Sequence, residues 1–191
     1  MSAILYERTM SPGSVVRIRR LTPDGVTPAG NATDGVRIGW HAKHNRIGDG
    51  TFAGRNVISA NLEQGINLSD PGVDSNIVIG NYIGTDSTGN AYMGQGQNGI
   101  QVGFFGNYNM IGDGTVGGRN ICSGNSFAGI GLNSGDHTIV LGNYAGLGAD
   151  GSTVIPNSGG IYVANSKYAR VGDGTVGGRN VVSGNNFDGV T

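Results

Sequence analysis

The residues whose type and spacing best suit chemistry are three aspartates in a repeated loop, each followed by an arginine: Asp49 with Arg55, Asp113 with Arg119 and Asp173 with Arg179. Carboxylates at matching points of a repeat suit a calcium ion or sugar hydroxyls. The arginine beside each acid disfavours a cation, and GDG falls short of the nonapeptide that binds calcium in repeat proteins. The spacing therefore predicts that each aspartate closes its own turn and pairs with its own arginine. Equivalent loops should lie about 10 Å apart, two strand spacings. Cleaving a glycosidic bond needs two carboxyl groups on one outer face. Asp24, Asp86 and Asp150 also sit beside glycine or threonine in turns, and Asp74 and Asp136 precede strands without an acidic neighbour at a matching position. His41, His44 and His137 lack metal-ligand spacing and read as surface histidines. No nucleophile motif is present, and the single cysteine, Cys122, stands where sibling repeats hold Ile58 and Val182, which makes it a small core residue. No catalytic, cofactor-binding or metal-ligating residue is assigned, no cofactor is expected, and enzymatic activity is disfavoured.

The elements that must carry these loops are written in the composition. Glycine accounts for 38 of 191 residues, interleaved with isoleucine, valine and asparagine, while 37% of the chain is hydrophobic. That mixture, without a Gly-X-Y period and with only five prolines, describes many short strands joined by tight turns. Net charge is −1 and charged residues make up 13%. The only basic cluster, Arg17, Arg19 and Arg20, reads as a solvated strand face, so no nucleic-acid partner is expected. No apolar run of membrane-spanning length and no secretion signal are visible, so no membrane partner is expected either.

Internal repeats define the architecture. IGDGTFAGRNVIS (47–59) returns as IGDGTVGGRNICS (111–123) and VGDGTVGGRNVVS (171–183), while IVIGNYIGTDSTG (77–89) returns as IVLGNYAGLGADG (139–151). The long repeat of about 62 residues is thus a pair of related coils. A glycine followed by an alternating apolar pair marks each coil, at Gly35, Gly65, Gly99, Gly129, Gly160 and Gly189. Each interval holds three alternating segments, such as GVRI, NRIG and NVIS in the first, which is what a three-stranded solenoid coil requires. Helical repeats of similar period are excluded by the glycine density, and leucine-rich repeats by the use of isoleucine and valine. Inward positions on this reading are Val36, Ile38, Ile47, Ile58, Ile66, Leu68, Val78, Ile83, Ile100, Val102, Ile111, Cys122, Ile130, Leu132, Val140, Ile161, Val163, Val171 and Val182. Asn45, Asn56, Asn81, Asn109, Asn120, Asn143 and Asn180 are expected to stack at corners and bond the backbone.

The segments NVISAN, GNYIGTD, NICSGN and NVVSGN resemble the right-handed parallel β-helix repeat family, with its pectate-lyase-like architecture, over roughly residues 31–191. The family turn reads IGGT, whereas here it is IGDGT with an inserted aspartate. The fold class expected is all-β, a right-handed single-stranded parallel β-helix of about five three-stranded coils spanning 32–191. Residues 1–31 are expected to form an N-terminal cap or attachment segment with a strand at Ser14–Leu21. The chain stops just into a sixth coil, at Thr191, without a visible cap. The family includes polysaccharide lyases and hydrolases, phage tail spikes, adhesins and passive surface repeats, so the resemblance implies fold more than activity.

The outward positions bear on function. On the third strand Val57, Tyr82, Ile121, Tyr144 and Val181 form an apolar ridge where a solvated face would be polar. Ile77, Ile79, Met110, Ile139 and Leu141 point outward on the second strand. Two explanations stand for the ridge. Phe52, Val116 and Val176 fold back over it, or it is a subunit interface. The first strand presents Arg37, Asn67, Gln101, Gly131 and Tyr162, with Trp40, Phe104 and Phe105 just beyond as candidate glycan contacts. An ice-binding face would need Thr-x-Thr ladders, which are absent. The expectation is a non-catalytic structural or adhesive module of a virion, phage tail or extracellular surface fibre, forming homo-oligomers or joining other fibre subunits. The alternative is a β-helix enzyme, or a fragment of one, that binds or cleaves polysaccharide.

Overall fold

The computed structural model describes residues 15–16 and 26–191, which hold sixteen strands and no helix. One sheet stacks β2 (Val36–Ile38), β5 (Ile66–Ser69), β8 (Ile100–Gly103), β11 (Ala128–Asn133) and β14 (Gly159–Ala164). A second stacks β1 (Val15–Val16), β3 (Arg46–Ile47), β6 (Ile77–Val78), β9 (Met110–Ile111), β12 (Ile139–Val140) and β15 (Arg170–Val171). The third stacks β4 (Val57–Ile58), β7 (Tyr82–Ile83), β10 (Ile121–Cys122), β13 (Tyr144–Ala145) and β16 (Val181–Val182). From β2 to β13 each strand pairs in parallel with the strand three places on, as Ile66 does with Val36 and Ile100, so the chain winds as a β-solenoid. Of the expected N-terminal segment only Val15–Val16, pairing with Arg46–Ile47, and residues 26–31 are described; the rest of the expected Ser14–Leu21 strand and the Arg17, Arg19 and Arg20 cluster lie outside the described residues.

Strands of two to six residues cannot bury an apolar face alone. Their alternation sends one side chain of each pair inward, and successive coils superimpose these into columns. Sixteen of the nineteen inward positions form the buried cluster, Cys122 among them. Val163 and Val182 pack against it half-buried, while Val171, on the outer edge of the last coil, is 39% exposed. The cluster also takes in Ala42 and Val73 from the turns between first and second strands, which alternation within strands does not reveal.

The coil pair has a structural cause. Odd coils extrude an arm, residues 49–54, 113–118 and 173–178, between their second and third strands. Even coils extrude theirs between third strand and next first strand, with isolated antiparallel bridges Thr85–Tyr92 and Leu147–Val154. At each corner, arms two coils apart touch directly across an armless turn. A Cβ on Gly117 would come within 2.3 Å of the Gly50 carbonyl oxygen, and one on Gly80, beneath, within 2.7 Å of the Gly117 oxygen. The even arms meet likewise, Ala149 N donating to Gly89 O at 2.9 Å. Glycine removes the side chains that would keep the arms apart.

Carboxamide ladders fill all three corners. Ahead of the second strands, Asn76 Oδ1 accepts the backbone and side-chain N–H groups of Asn45, and Asn109 Oδ1 accepts those of Asn76. Ahead of the third strands the ladder runs Asn56, Asn81, Asn120, Asn143 and Asn180, each buried at least in part. A third ladder, before the first strands, was not among the expected asparagines: Asn31, Asn61 and Gln95, then Asn125, Asn157 and Asn185. Because one oxygen accepts twice and the amide also donates to a strand carbonyl, removing a central member strands several buried groups. Asn120→Ala, which orphans Asn81 N and takes one partner each from Asn81 Nδ2 and the Val78 carbonyl, is expected to lower stability in urea unfolding by about 3 kcal/mol. Asn180→Ala, at the ladder's half-buried end, should cost about 1 kcal/mol. Equal losses at the two positions would show that the ladder is not what joins the coils.

Candidate functional site

The aspartates of the repeated loop close their turns as expected. Asp49 Oδ1 accepts Thr51 N at 2.8 Å and Thr51 Oγ1 at 2.6 Å, and Thr51 Oγ1 accepts Gly54 N at 3.0 Å. Asp113 with Thr115 and Asp173 with Thr175 repeat the arrangement. Two of the arginines, Arg55 and Arg119, lie on tyrosine rings of the next coil. Arg55 Cζ lies 4.0 Å from the Tyr82 ring centroid, and Arg119 Cζ lies 4.0 Å from that of Tyr144 with its Nε donating to Gly142 O. Neither Asp113 nor Asp173 is ion-paired to its arginine among the described residues. A tyrosine face in the following coil offers the guanidinium a cation–π contact, while one oxygen of the carboxylate is already taken by the turn.

The even arms consume their acids the same way. Asp86 Oδ1 accepts Thr88 Oγ1, Asn90 N and Ala91 N. Asp150 accepts Ser152 N, Thr153 N and Thr153 Oγ1. In the turns before the second strands, Asp74 accepts Lys43 Nζ at 2.8 Å and Asn107 N at 2.9 Å, while Asp136 accepts Lys167 N at 2.7 Å. On the first-strand face Arg37 lies between Asp34, at 3.9 Å, and Asp70, at 3.5 Å, and Asn67 Nδ2 donates to Asp34. Among the described residues no three histidine, cysteine or acidic side chains converge to hold a metal ion. Burial pushes the Cys122 thiol well above its ordinary pKa, so it carries no thiolate to attack with.

The third-strand ridge becomes the floor of a trough between the two sets of arms. Tyr82 and Ile121 are 8% and 2% exposed, and Val57, Tyr144 and Val181 are half-buried. The cover comes from the arginines and from the arm glycines: a Cβ on Gly89 would lie 2.6 Å from Tyr82 Cε2. Phe52, Val116 and Val176 do not fold back over the ridge. They stand at the arm tips, 84%, 80% and 80% exposed. On the second-strand face Ile79 is buried and Ile77, Met110, Ile139 and Leu141 are half-buried.

The corner between first and second strands gathers the exposed rings. Trp40, Phe104 and Phe105, which the sequence points to as glycan contacts, are 71%, 67% and 63% exposed there. Each has positive φ, and Trp40–His41 and Phe104–Phe105 are consecutive such pairs. A left-handed backbone at a bulky residue costs about 1–3 kcal/mol, so something holds these rings outward against their preference. Two further features escape the sequence reading. The residue just before the second-strand corner has positive φ in every coil: His44, Ser75, Tyr108, His137 and Tyr168. Three of these form a stack, with Tyr108 and His137 centroids 4.7 Å apart and His137 and Tyr168 4.8 Å apart. The signal that could have found them is position alone, since ring types differ and the preceding turn varies in length.

Comparison with protein-family models, with curated proteins and with solved structures finds no match to this chain.

The arm carboxylates give the protein an acid-sensitive surface. The Thr153 hydroxyl first, then the backbone N–H groups of Thr153 and Ser152, hold the Asp150 carboxyl down at about 2. The Thr175 hydroxyl and backbone likewise lower Asp173. A depressed folded-state pKa means that the stabilisation is present above the unfolded carboxylate pKa and is lost as pH falls through the folded value. Thr153→Val should therefore return the Asp150 titration toward about 3.9, followed by NMR of the side-chain carboxyl carbon. The same variant should flatten the fall in stability below about pH 4. An unchanged titration would remove the hydroxyl as the cause.

Proposed function

We propose that this β-solenoid is a non-catalytic adhesive module that holds carbohydrate on an aromatic corner. It would work as a structural unit of a virion, phage tail or extracellular surface fibre, in the manner of adhesive members of the right-handed parallel β-helix repeat family. The observation that carries the reading is the concentration of exposed rings, Trp40, Phe104, Phe105, Tyr108 and Tyr168, on one corner beside polar turns. Ring faces pack against the apolar faces of sugars, and the neighbouring hydroxyl, amide and charged groups suit sugar hydroxyls. The use of arm aspartates as turn closers favours binding over cleavage, because a hydrolase needs two carboxyl groups free to exchange protons with a substrate.

The test is retention of the chain on immobilised bacterial surface polysaccharides, with product release monitored in parallel. Retention without new reducing ends or unsaturated sugars is expected, and W40A/F104A should weaken it about tenfold or more. Polysaccharide cleavage abolished by a single aspartate substitution would replace this reading with an enzymatic one.

Assembly through like subunits is part of the proposal. The support is the apolar column of arm tips, which offers a regular edge to a second copy. The trough floor that the sequence marks as an interface is largely covered within the chain, and Val57, Tyr144 and Val181 are its half-buried remainder. Light scattering of the intact chain should give an oligomer that F52S/V116S/V176S converts to monomer without loss of β-sheet circular dichroism. A wild-type monomer at high concentration would remove self-assembly.

A further inference from the structure

The ring column at the corner has one vacant step. His44, Ser75, Tyr108, His137 and Tyr168 occupy the same place in five successive coils, with φ between 56° and 58° at each. Their backbone N–H groups donate in the same register to the next coil, His44 to Asp74 O, Ser75 to Asn107 O, Tyr108 to Asp136 O and His137 to Lys167 O. Side chains therefore leave from superimposed points, one coil apart. Above Ser75 the rings of Tyr108, His137 and Tyr168 sit 4.7 and 4.8 Å from one another, in step with the coil spacing. At Ser75 the ring is missing. Two coil spacings, about 10 Å, separate the backbones of His44 and Tyr108. That is room for one ring between two ring faces.

We propose that this step is a binding slot for a single hexopyranose ring, walled by Tyr108 and His44 and floored by Ser75. The inference rests on the carbohydrate-binding reading above and names the subsite within it. What selects a sugar over a flat aromatic guest is the rim. Asp74, immediately before Ser75, holds a carboxylate that accepts Lys43 Nζ at 2.8 Å and Asn107 N at 2.9 Å. The Lys43 ammonium has further N–H groups, and the Asn107 side chain lies in the same column of the turn. A pyranose presents C–H groups on its faces and hydroxyls around its edge. It therefore fills an apolar sandwich and a charged rim together, whereas an aromatic hydrocarbon uses only the sandwich. The tyrosine wall is already held in place from its far side by His137, so the slot needs little ordering on binding.

The test uses the intact chain and follows the ring protons of Tyr108, His44 and Trp40 by NMR. The probes are the methyl glycosides of glucose, galactose, mannose and N-acetylglucosamine, with p-cresol as the flat aromatic competitor. At least one glycoside is expected to shift Tyr108 and His44 together, leaving Trp40 unmoved and binding more tightly than p-cresol. S75Y fills the vacant step with a ring in a conformation that tyrosine already adopts at Tyr108 and Tyr168. It should weaken that binding about tenfold or more while circular dichroism and Tm hold or rise. Should S75Y fail to fold, Tyr108→Leu removes a wall and should give the same loss. Equal binding by S75Y and wild type, tighter binding of p-cresol, or no response to any of the four glycosides would each overturn the slot. Polysaccharide retention that survives S75Y but not W40A/F104A would overturn the slot and leave the adhesive reading standing. No retention of the wild-type chain on any of the polysaccharides would remove the reading on which the slot rests.

Discussion

A solenoid turns its chain through three corners per coil, and each corner leaves backbone N–H and C=O groups in a place that water does not reach. The carboxamide is the side chain that can satisfy them from both sides, with one oxygen that accepts twice and two N–H groups to donate. In Asn120 and Asn143 the oxygen takes both N–H groups of the coil before, and in Asn81 it takes the Asn56 amide, while each amide donates to a strand carbonyl and to the next oxygen. The bonds therefore run along the stack axis, parallel to the sheets, and bind coil to coil where no strand exists to do so. The apolar columns supply burial but no register. A column of isoleucines would pack nearly as well if a coil slid, whereas a slipped ladder would leave buried amides unpaired.

This division of labour explains what could be read from the chain beforehand. The interior was legible almost residue by residue, because β-strand alternation and the glycine marker at each coil fix which side chain faces in. Its one failure of burial, Val171, belongs to the outer edge of the last coil. One ladder was legible in full and a second in all but Asn76, although their members were not separated by corner, because asparagine recurs at a constant distance ahead of an inward aliphatic. The third was hidden because its second coil uses Gln95, set behind an arm. From there the longer side chain still reaches Asn61 and the Ile58 carbonyl. The partners of the arm arginines were misread for a different reason. Sequence proximity favours Asp113 for Arg119, but in the solenoid the nearest neighbour in space is a residue of the next coil, Tyr144.

The arms show how a regular stack acquires an irregular surface. Were every coil to extrude an arm at the same corner, the arms would be forced to the strand spacing and would crowd one another. Placing them on alternate coils and alternate corners gives each two coil spacings. Glycines such as Gly50 and Gly117 then let the arms close the remaining gap by direct contact. The result is two ridges that flank the third sheet and shelter Tyr82 and Ile121, a trough that a reading of the strands alone mistakes for an apolar ridge open to solvent.

The candidate site was legible in part, and the limit is physical. Trp40, Phe104 and Phe105 stand out as large rings beside turns, whereas Tyr108, His137 and Tyr168 carry no shared residue type. They acquire meaning only once equal φ and equal backbone register place them in one column. That column depends in turn on the asparagines beside it, since Asn76 and Asn109 follow Ser75 and Tyr108 directly and anchor the corner through buried amides. A corner built on strained, left-handed residues would relax if it were free to move. Here the ladder beneath holds the backbone, and the strain is carried by the fold instead of being released. Rings fixed in this way lose little freedom when a ligand arrives, so even a shallow surface can bind with the economy of a preformed site. The same rigidity ties the proposed recognition to stability, because the buried amide of Asn109 anchors the backbone that carries Tyr108.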